Sequence, residues 1–186
     1  MRLFFAVEIP EPLKKEMFAL QKSLGADLSG VKWVEEENFH LTLKFLGEVP
    51  ENKLREIVSV VHKSLENCLS HRLRFTNIGF FPHHNRPRVI WLGISGETDL
   101  TLEVGRKLDE ALAPLGFEPS LKRSLHITLG RINKEAAGPK LVRRAREYKG
   151  IGEDKDFQVA ELHLCRSDLT PSGPIYSVIE KFVFKG

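Results

Sequence analysis

An α+β fold of two similar lobes, related by a pseudo-twofold axis, is predicted by three observations. Apolar strands and amphipathic helices follow one another in the same order twice along the chain, with equivalent elements about 85 residues apart. Each half is too short to bury its own sheet, so the two must share a core. The 186 residues, 41% hydrophobic and 28% charged, have the composition of a packed domain and not of a disordered or fibrous chain.

Leu3 to Ile9 is a short apolar run and reads as a strand. Pro12 to Leu24 places Leu13, Met17, Leu20 and Leu24 at helical spacing, and Gly25 to Gly30 breaks that helix. Phe39 to Leu46 alternates as a strand does, with Leu41, Leu43 and Phe45 on one face. Lys53 to Leu65 repeats Leu54, Ile57, Val58, Val61 and Leu65 as an amphipathic helix, and Leu73 to Phe81 closes the first half, residues 1–81, as a strand. The second half, residues 88–165, repeats the order. Val89 to Ile94 is a strand, Leu100 to Leu112 a helix, His126 to Ile132 a strand, Pro139 to Tyr148 a basic helix and Phe157 to Cys165 a strand. A last strand, 175–184, follows the turn signal Pro171-Ser172-Gly173-Pro174 and extends one sheet. Pro82 and Pro87, with polar residues between them, mark a surface connection and the one candidate hinge. No Gly/Ser run separates the halves, so residues 1–186 are expected to form a single two-lobed domain.

Several function classes have little support. No apolar run approaches the roughly 18 residues of a membrane span, and Glu8 and Pro10 interrupt the N-terminal run before a signal sequence could form, so a cytoplasmic protein is expected. Cys68 and Cys165 belong to no ligand cluster and read as small buried hydrophobes, not as a disulfide or zinc site. A net charge of +3 permits nucleic-acid binding without demanding it. The chain has no GxxxxGK[ST] loop, the usual mark of an ATP-driven mechanism.

The best-matched stretch of the repeat carries chemistry. His40-Leu41-Thr42-Leu43 and His126-Ile127-Thr128-Leu129 share one form, and on a strand the His/Thr pair points away from the aliphatic pair. A lone His on a strand is usually a satisfied structural residue. A repeat kept for packing alone, however, has no need of a polar pair opposite its apolar face. If a twofold axis relates the lobes, two imidazoles and two hydroxyls converge on one cleft. With a reference pKa of about 6.5, one His can act as base and the other as acid, giving a bell-shaped rate profile around neutrality. The hydroxyls can donate to the non-bridging oxygens of a phosphate. This is the equipment for attack at phosphorus, and it calls for neither metal nor cofactor.

The sequence resembles the LigT-like RNA 2′,3′-cyclic phosphodiesterases, also called 2′-5′ RNA ligases, of the two-histidine phosphoesterase superfamily. The likeness runs from MRLFFAVEIP through VKWVEEENFHLTLKFLGEVPENKL and LHITLGRI to ELHLCRSDLTPSGPIYSVIEKF, nearly the whole chain. Where many relatives have proline before the second motif His, this chain has Leu125, a change expected to affect local packing only. The resemblance implies two α+β lobes with antiparallel-rich sheets lining a positively charged central cleft and helices outside. It also implies hydrolysis of an RNA 2′,3′-cyclic phosphate to a 2′-phosphate. By the same resemblance, His40 protonates the departing 3′-oxygen, His126 activates water, and Thr42 and Thr128 hold the phosphate. The motifs themselves are symmetric and do not distinguish acid from base. Phe45 and Arg131 each stand five residues after a motif His, and the resemblance places both at the cleft, where an aromatic face and a guanidinium hold a base or a phosphate. For Phe45 the alternation with Leu41 and Leu43 favours the core equally well.

Other candidates are weaker. Lys140, Arg143, Arg144, Arg146 and Lys149, against Glu147, could hold an RNA backbone but more often form a solvated helix face. His83-His84 has no further ligand at suitable spacing; His62, His71 and His163 stand alone, and Glu35-Glu36-Glu37 reads as a solvated loop. The expected partner is therefore RNA with a cyclic phosphate end, tRNA or its fragments included, acted on by a monomer with no membrane contact. Two other functions fit the same groove: ligation by a 5′-hydroxyl in place of water, and RNA binding without catalysis. The intact His and Thr pairs count against binding alone.

Overall fold

A computed structural model describes residues 1–151 and 155–186. The chain opens with β1 (Arg2–Glu8), whose five middle residues are all buried because the strand lies inside a sheet and is covered on both faces. Helix α1 (Glu11–Gly25) follows, started by Pro10 and Pro12, and buries Leu13, Met17, Leu20 and Leu24, the face read from the sequence. A three-residue strand, β2 (Val31–Trp33), then precedes β3 (His40–Glu48). The periodicity does not reveal β2, because three half-exposed residues at a sheet edge show no pattern. Helix α2 (Leu54–Leu65), β4 (His71–Phe81), β5 (Val89–Gly96), α3 (Thr98–Leu112) and β6 (His126–Ile132) come next. The chain ends with α4 (Ala137–Arg146), β7 (Asp156–Val159), β8 (Glu161–Thr170) and β9 (Gly173–Val183).

Two antiparallel sheets result, ordered β3-β1-β8-β9 (sheet A) and β2-β6-β5-β4-β7 (sheet B). Strands β1, β3 and β8 of sheet A match β5, β6 and β4 of sheet B, so the two halves are alike as expected. Their closing strands, however, are exchanged. β4, which ends the first repeat, pairs with β5 of the second, and β8 returns to pair with β1. The proline-flanked segment 82–88 is thus a hairpin loop inside sheet B and not a hinge between lobes, with Arg88 N donating to Phe81 O at 2.7 Å. A short connection between antiparallel strands favours pairing them with each other. The reading of 157–165 as one strand is corrected for the same reason. At Ala160 the chain leaves sheet B and enters sheet A, so β7 and β8 belong to different lobes.

One hydrophobic core runs through both lobes, from Phe5, Leu41 and Phe182 to Leu92, Ile127 and Phe157. Helices α2 and α3 pack together, as do α1 and α4, and the pseudo-twofold axis interchanges the two pairs. The basic helix is partly committed to this packing. Arg144 makes a bidentate pair with Asp27 at 2.7 and 2.9 Å, bonds Leu24 O at 2.9 Å, and holds the Asp27 carboxyl down to about 2. Leu125 is half-buried against the core. Both cysteines are buried free thiols, and burial pushes the Cys165 thiol up to about 12. No helix among the described residues is long and apolar enough to cross a membrane.

Candidate active site

The two motif histidines are presented in the same way. His40 opens β3 and His126 opens β6; each is half-buried, as is the Thr two residues later, while Leu41, Leu43, Ile127 and Leu129 are buried on the opposite face. The Nδ1 of His40 lies 2.7 Å from Asn38 O, and the Nδ1 of His126 lies 2.9 Å from Ser124 O. A carbonyl only accepts, so both rings carry hydrogen on Nδ1, and Nε2 is the nitrogen left for proton transfer. Burial pushes both imidazoles below their ordinary value, against the carbonyl bonds that favour the charged form. For His40 the charge of Glu8 also favours the protonated ring, partly offset by Lys14. Burial thus acts in the same direction on both rings, and of the two His40 alone has a carboxylate that promotes proton uptake.

Glu35-Glu36-Glu37 is not simply a solvated loop. Residues Glu36–Asn38 form one 3₁₀ turn, and buried Asn38, whose amide donates to Pro174 O at 3.0 Å, turns its carbonyl onto His40. His40 sits against Phe4, with ring centroids 4.9 Å apart, and against Tyr176 at 5.1 Å. His126 sits edge-on to Phe81 at 4.9 Å and 6.0 Å from Trp91. Trp91 lies flat across Gly79 on the next strand, where any Cβ would collide with the indole. Its Nε1 is buried without a hydrogen-bond partner among the described residues. Sequence reasoning misses these four aromatics, since lone aromatics in strands read as core. Phe4 and Tyr176 lie within the family-like segments MRLFFAVEIP and PSGPIY, but nothing local marks either ring as facing a histidine.

Strand irregularities decide where Phe45 and Arg131 go. The β1–β3 register shifts between Phe5 and Ala6, so Leu43 and Lys44 are both buried and the alternation restarts one residue late. Phe45 thereby leaves the core face that Leu41 and Leu43 share, is 73% exposed, and comes to 6.0 Å from Phe4. A matching shift at Ile90/Trp91 buries Leu129 and Gly130 together and exposes Arg131. Arg131 on sheet B acts on the Tyr176 hydroxyl on sheet A, opposing the upward push of burial on that phenol. Strands β3 and β6 are themselves in contact between the sheets, which makes the strand of His40, Thr42 and Phe45 a neighbour of the strand of His126, Thr128 and Arg131.

The remaining histidines divide. His71 is a buried structural residue bonded to Leu69 O and Thr101 Oγ1, and His62 pairs with Glu180 at 3.3 Å. His83 and His84 are exposed on the hairpin loop. His163, read as solitary, lies beside His40 in one cavity. Among the described residues, no three His, Cys, Asp or Glu side chains gather as a metal ion would require.

A profile for LigT-like phosphoesterases matches residues 7–91 and again 92–176, the two repeats. An RNA 2′,3′-cyclic phosphodiesterase of Methanocaldococcus jannaschii is 38% identical over 98% of this chain and 100% of its own length. A protein of the same name from Thermotoga maritima is 34% identical over 100% and 97%. The crystal structure of TT0787 of Thermus thermophilus superposes with a TM-score of 0.82 at 30% identity, covering 100% of this chain and 99% of that one. Escherichia coli LigT has the same fold, with a TM-score of 0.80 at 22% identity. With the motif repeated in both halves and the family profile matched twice, the chain belongs to the LigT-like phosphoesterases.

Proposed function

We propose that the protein hydrolyses the 2′,3′-cyclic phosphate end of an RNA to a 2′-phosphate, with His40 and His126 as the proton-transfer pair. The observation that carries this is the matched presentation of two imidazoles, each tied through Nδ1 to a carbonyl two residues upstream. The relatives' name, RNA 2′,3′-cyclic phosphodiesterase, supports the substrate class.

In this scheme His126 Nε2 takes a proton from water as the oxygen attacks phosphorus. The P–O3′ bond breaks, and His40, charged with the help of Glu8, gives its Nε2 proton to the departing 3′-oxygen. Thr42 and Thr128 donate to the non-bridging oxygens, and the Arg131 guanidinium balances the charge that accumulates there. The deciding experiment is incubation of the protein, with EDTA present, with an oligonucleotide ending in a 2′,3′-cyclic phosphate. A 2′-phosphate end is expected. A 3′-phosphate end would reverse the assignment of acid and base, and a requirement for a divalent ion would replace the imidazole pair by a metal-bound hydroxide.

Two further results are expected. The profile of kcat/KM against pH should be bell-shaped with its maximum below about 6.5, the ordinary imidazole value. Above the higher of the two lowered values the acid loses its proton; below the lower one the base gains one. A phosphodiester does not titrate in this range, so both limbs belong to the protein. A maximum at or above pH 7, measured with a cyclic-ended oligonucleotide, would contradict the effect of burial on these rings. Thr42→Val and Thr128→Val, which keep volume and remove one donor each, should lower turnover by about ten- to a hundredfold, less than loss of either His. Wild-type rates in both variants would return the threonines to a structural role.

A further inference from the structure

Beside His40, on the cleft face of sheet A, lies a cavity of about 220 Å³ whose lining includes Phe4, Glu8, Glu37, His163 and Tyr176. Proton transfer uses only the His40 edge of it. The rest is built around acceptors. His163 is 4% exposed, and its Nε2 donates to Glu161 Oε1 at 2.6 Å. Its Nδ1 is buried with no hydrogen-bond partner among the described residues, an arrangement proteins rarely leave unused. Both carboxylates near the ring already have a lysine, Lys181 on Glu161 at 3.1 Å and Lys14 on Glu8 at 2.5 Å. In the tautomer that donates from Nε2 to Glu161, Nδ1 presents a lone pair.

Glu8 supplies a second acceptor. Lys14 occupies its Oε1, and its Oε2 stands 3.9 Å from His163 Nδ1. One amino group placed between these atoms can donate a hydrogen to each, whereas a carbonyl oxygen there would face two lone pairs. The walls are aromatic: the Phe4 and Tyr176 rings lie 4.9 Å apart and both touch His40. The carboxylates of Glu8 and Glu37 disfavour a phosphodiester in this space, so the part of an RNA that fits is a base. Because the cavity abuts the ring that protonates the 3′-oxygen, that base belongs to the same ribose.

We propose that this cavity is the subsite for the base of the terminal nucleoside, and that Glu8 and His163 select a base with an exocyclic amino group over uracil. The proposal rests on the cyclic phosphodiesterase reading. Cytosine and uracil test this at equal size: cytosine presents an amino group with two hydrogens beside the N3 acceptor, whereas uracil presents the O4 acceptor beside a single N3–H, so only cytosine can donate from one nitrogen to both Glu8 and His163.

The test compares kcat/KM for cytidine and uridine 2′,3′-cyclic phosphates, together with calorimetric binding of 2′-CMP and 2′-UMP. A cytidine preference of about tenfold or more is expected in both readouts. It should fall to within about threefold of unity in Glu8→Gln, whose amide can also donate to uracil, and in His163→Phe, which keeps a ring and removes Nδ1. The ratio is the quantity read, because the charge of Glu8 biases His40 equally for both substrates. Equal turnover and binding of the two nucleotides, or a preference undiminished in both variants, would overturn the subsite while leaving the hydrolase standing. Absence of hydrolysis with a retained preference for 2′-CMP would do the reverse.

Discussion

Replacing either motif histidine by alanine is expected to lower kcat/KM on a cyclic-ended oligonucleotide by two orders of magnitude or more, in a protein that stays folded. Each ring is half-buried, and its hydrogen bond goes to a carbonyl two residues upstream, just before its own strand begins. Removing it empties the site without opening the apolar face, where Leu41 and Ile127 remain fully buried. A general acid or base contributes about 10²- to 10⁴-fold, which sets the size of the loss. The two variants should differ in the shape of what remains. His126→Ala loses the group that must be unprotonated, so the acid limb of the pH profile should flatten. His40→Ala loses the group that must be protonated, so the alkaline limb should flatten. Circular dichroism and thermal unfolding establish the fold, and near-normal single-turnover hydrolysis by either folded variant would remove the acid/base scheme. Flattening of the opposite limbs would exchange the two roles.

The presentation of the two His/Thr pairs is legible in the sequence because it is written twice in consecutive residues. His40 to Leu43 and His126 to Leu129 are local patterns, and a strand converts such a pattern directly into a polar and an apolar face. What was not legible depends on pairing between distant strands. The order of elements is the same whether β4 closes its own sheet or crosses to the other, and only the hairpin through residues 82–88 decides it. Phe45 was ambiguous because a shift of register is invisible in one strand read alone: the second inward residue, Lys44, looks like an outward one. Helix periodicity likewise hid Gln21. It is 3% exposed, and its amide donates to Val34 O and Leu129 O at 2.8 Å, gripping the second motif strand from α1. The corresponding position on α3 is Asp109, another polar residue on a buried face.

Asp109→Ala is expected to destabilise the folded protein by about 3 kcal/mol or more at neutral pH. Asp109 Oδ1 accepts from Lys44 Nζ at 2.6 Å, and its Oδ2 accepts from Arg123 at 3.0 Å and from the Ser120 amide at 3.2 Å. Burial pushes its carboxyl up, but these donors outweigh it and hold the group below its ordinary 3.8. Alanine leaves Lys44, only 5% exposed, and the largely buried Arg123 as uncompensated cations. The stabilisation should be complete above the ordinary carboxylate value and fade as pH falls through the lowered one, so the gap between variant and parent should narrow in acid. The consequences reach the site, because Arg123 donates to Leu43 O at 3.1 Å and Lys44 to Glu118 O at 2.7 Å. The first motif strand is thereby tied to the segment that leads into His126. Adding Lys44→Met to Asp109→Ala should recover part of the lost stability by removing one of the stranded charges. Denaturant unfolding of the two single variants and the double one measures this directly. Strictly additive losses would mean that Lys44 and Asp109 contribute independently and that the buried cluster is not one energetic unit.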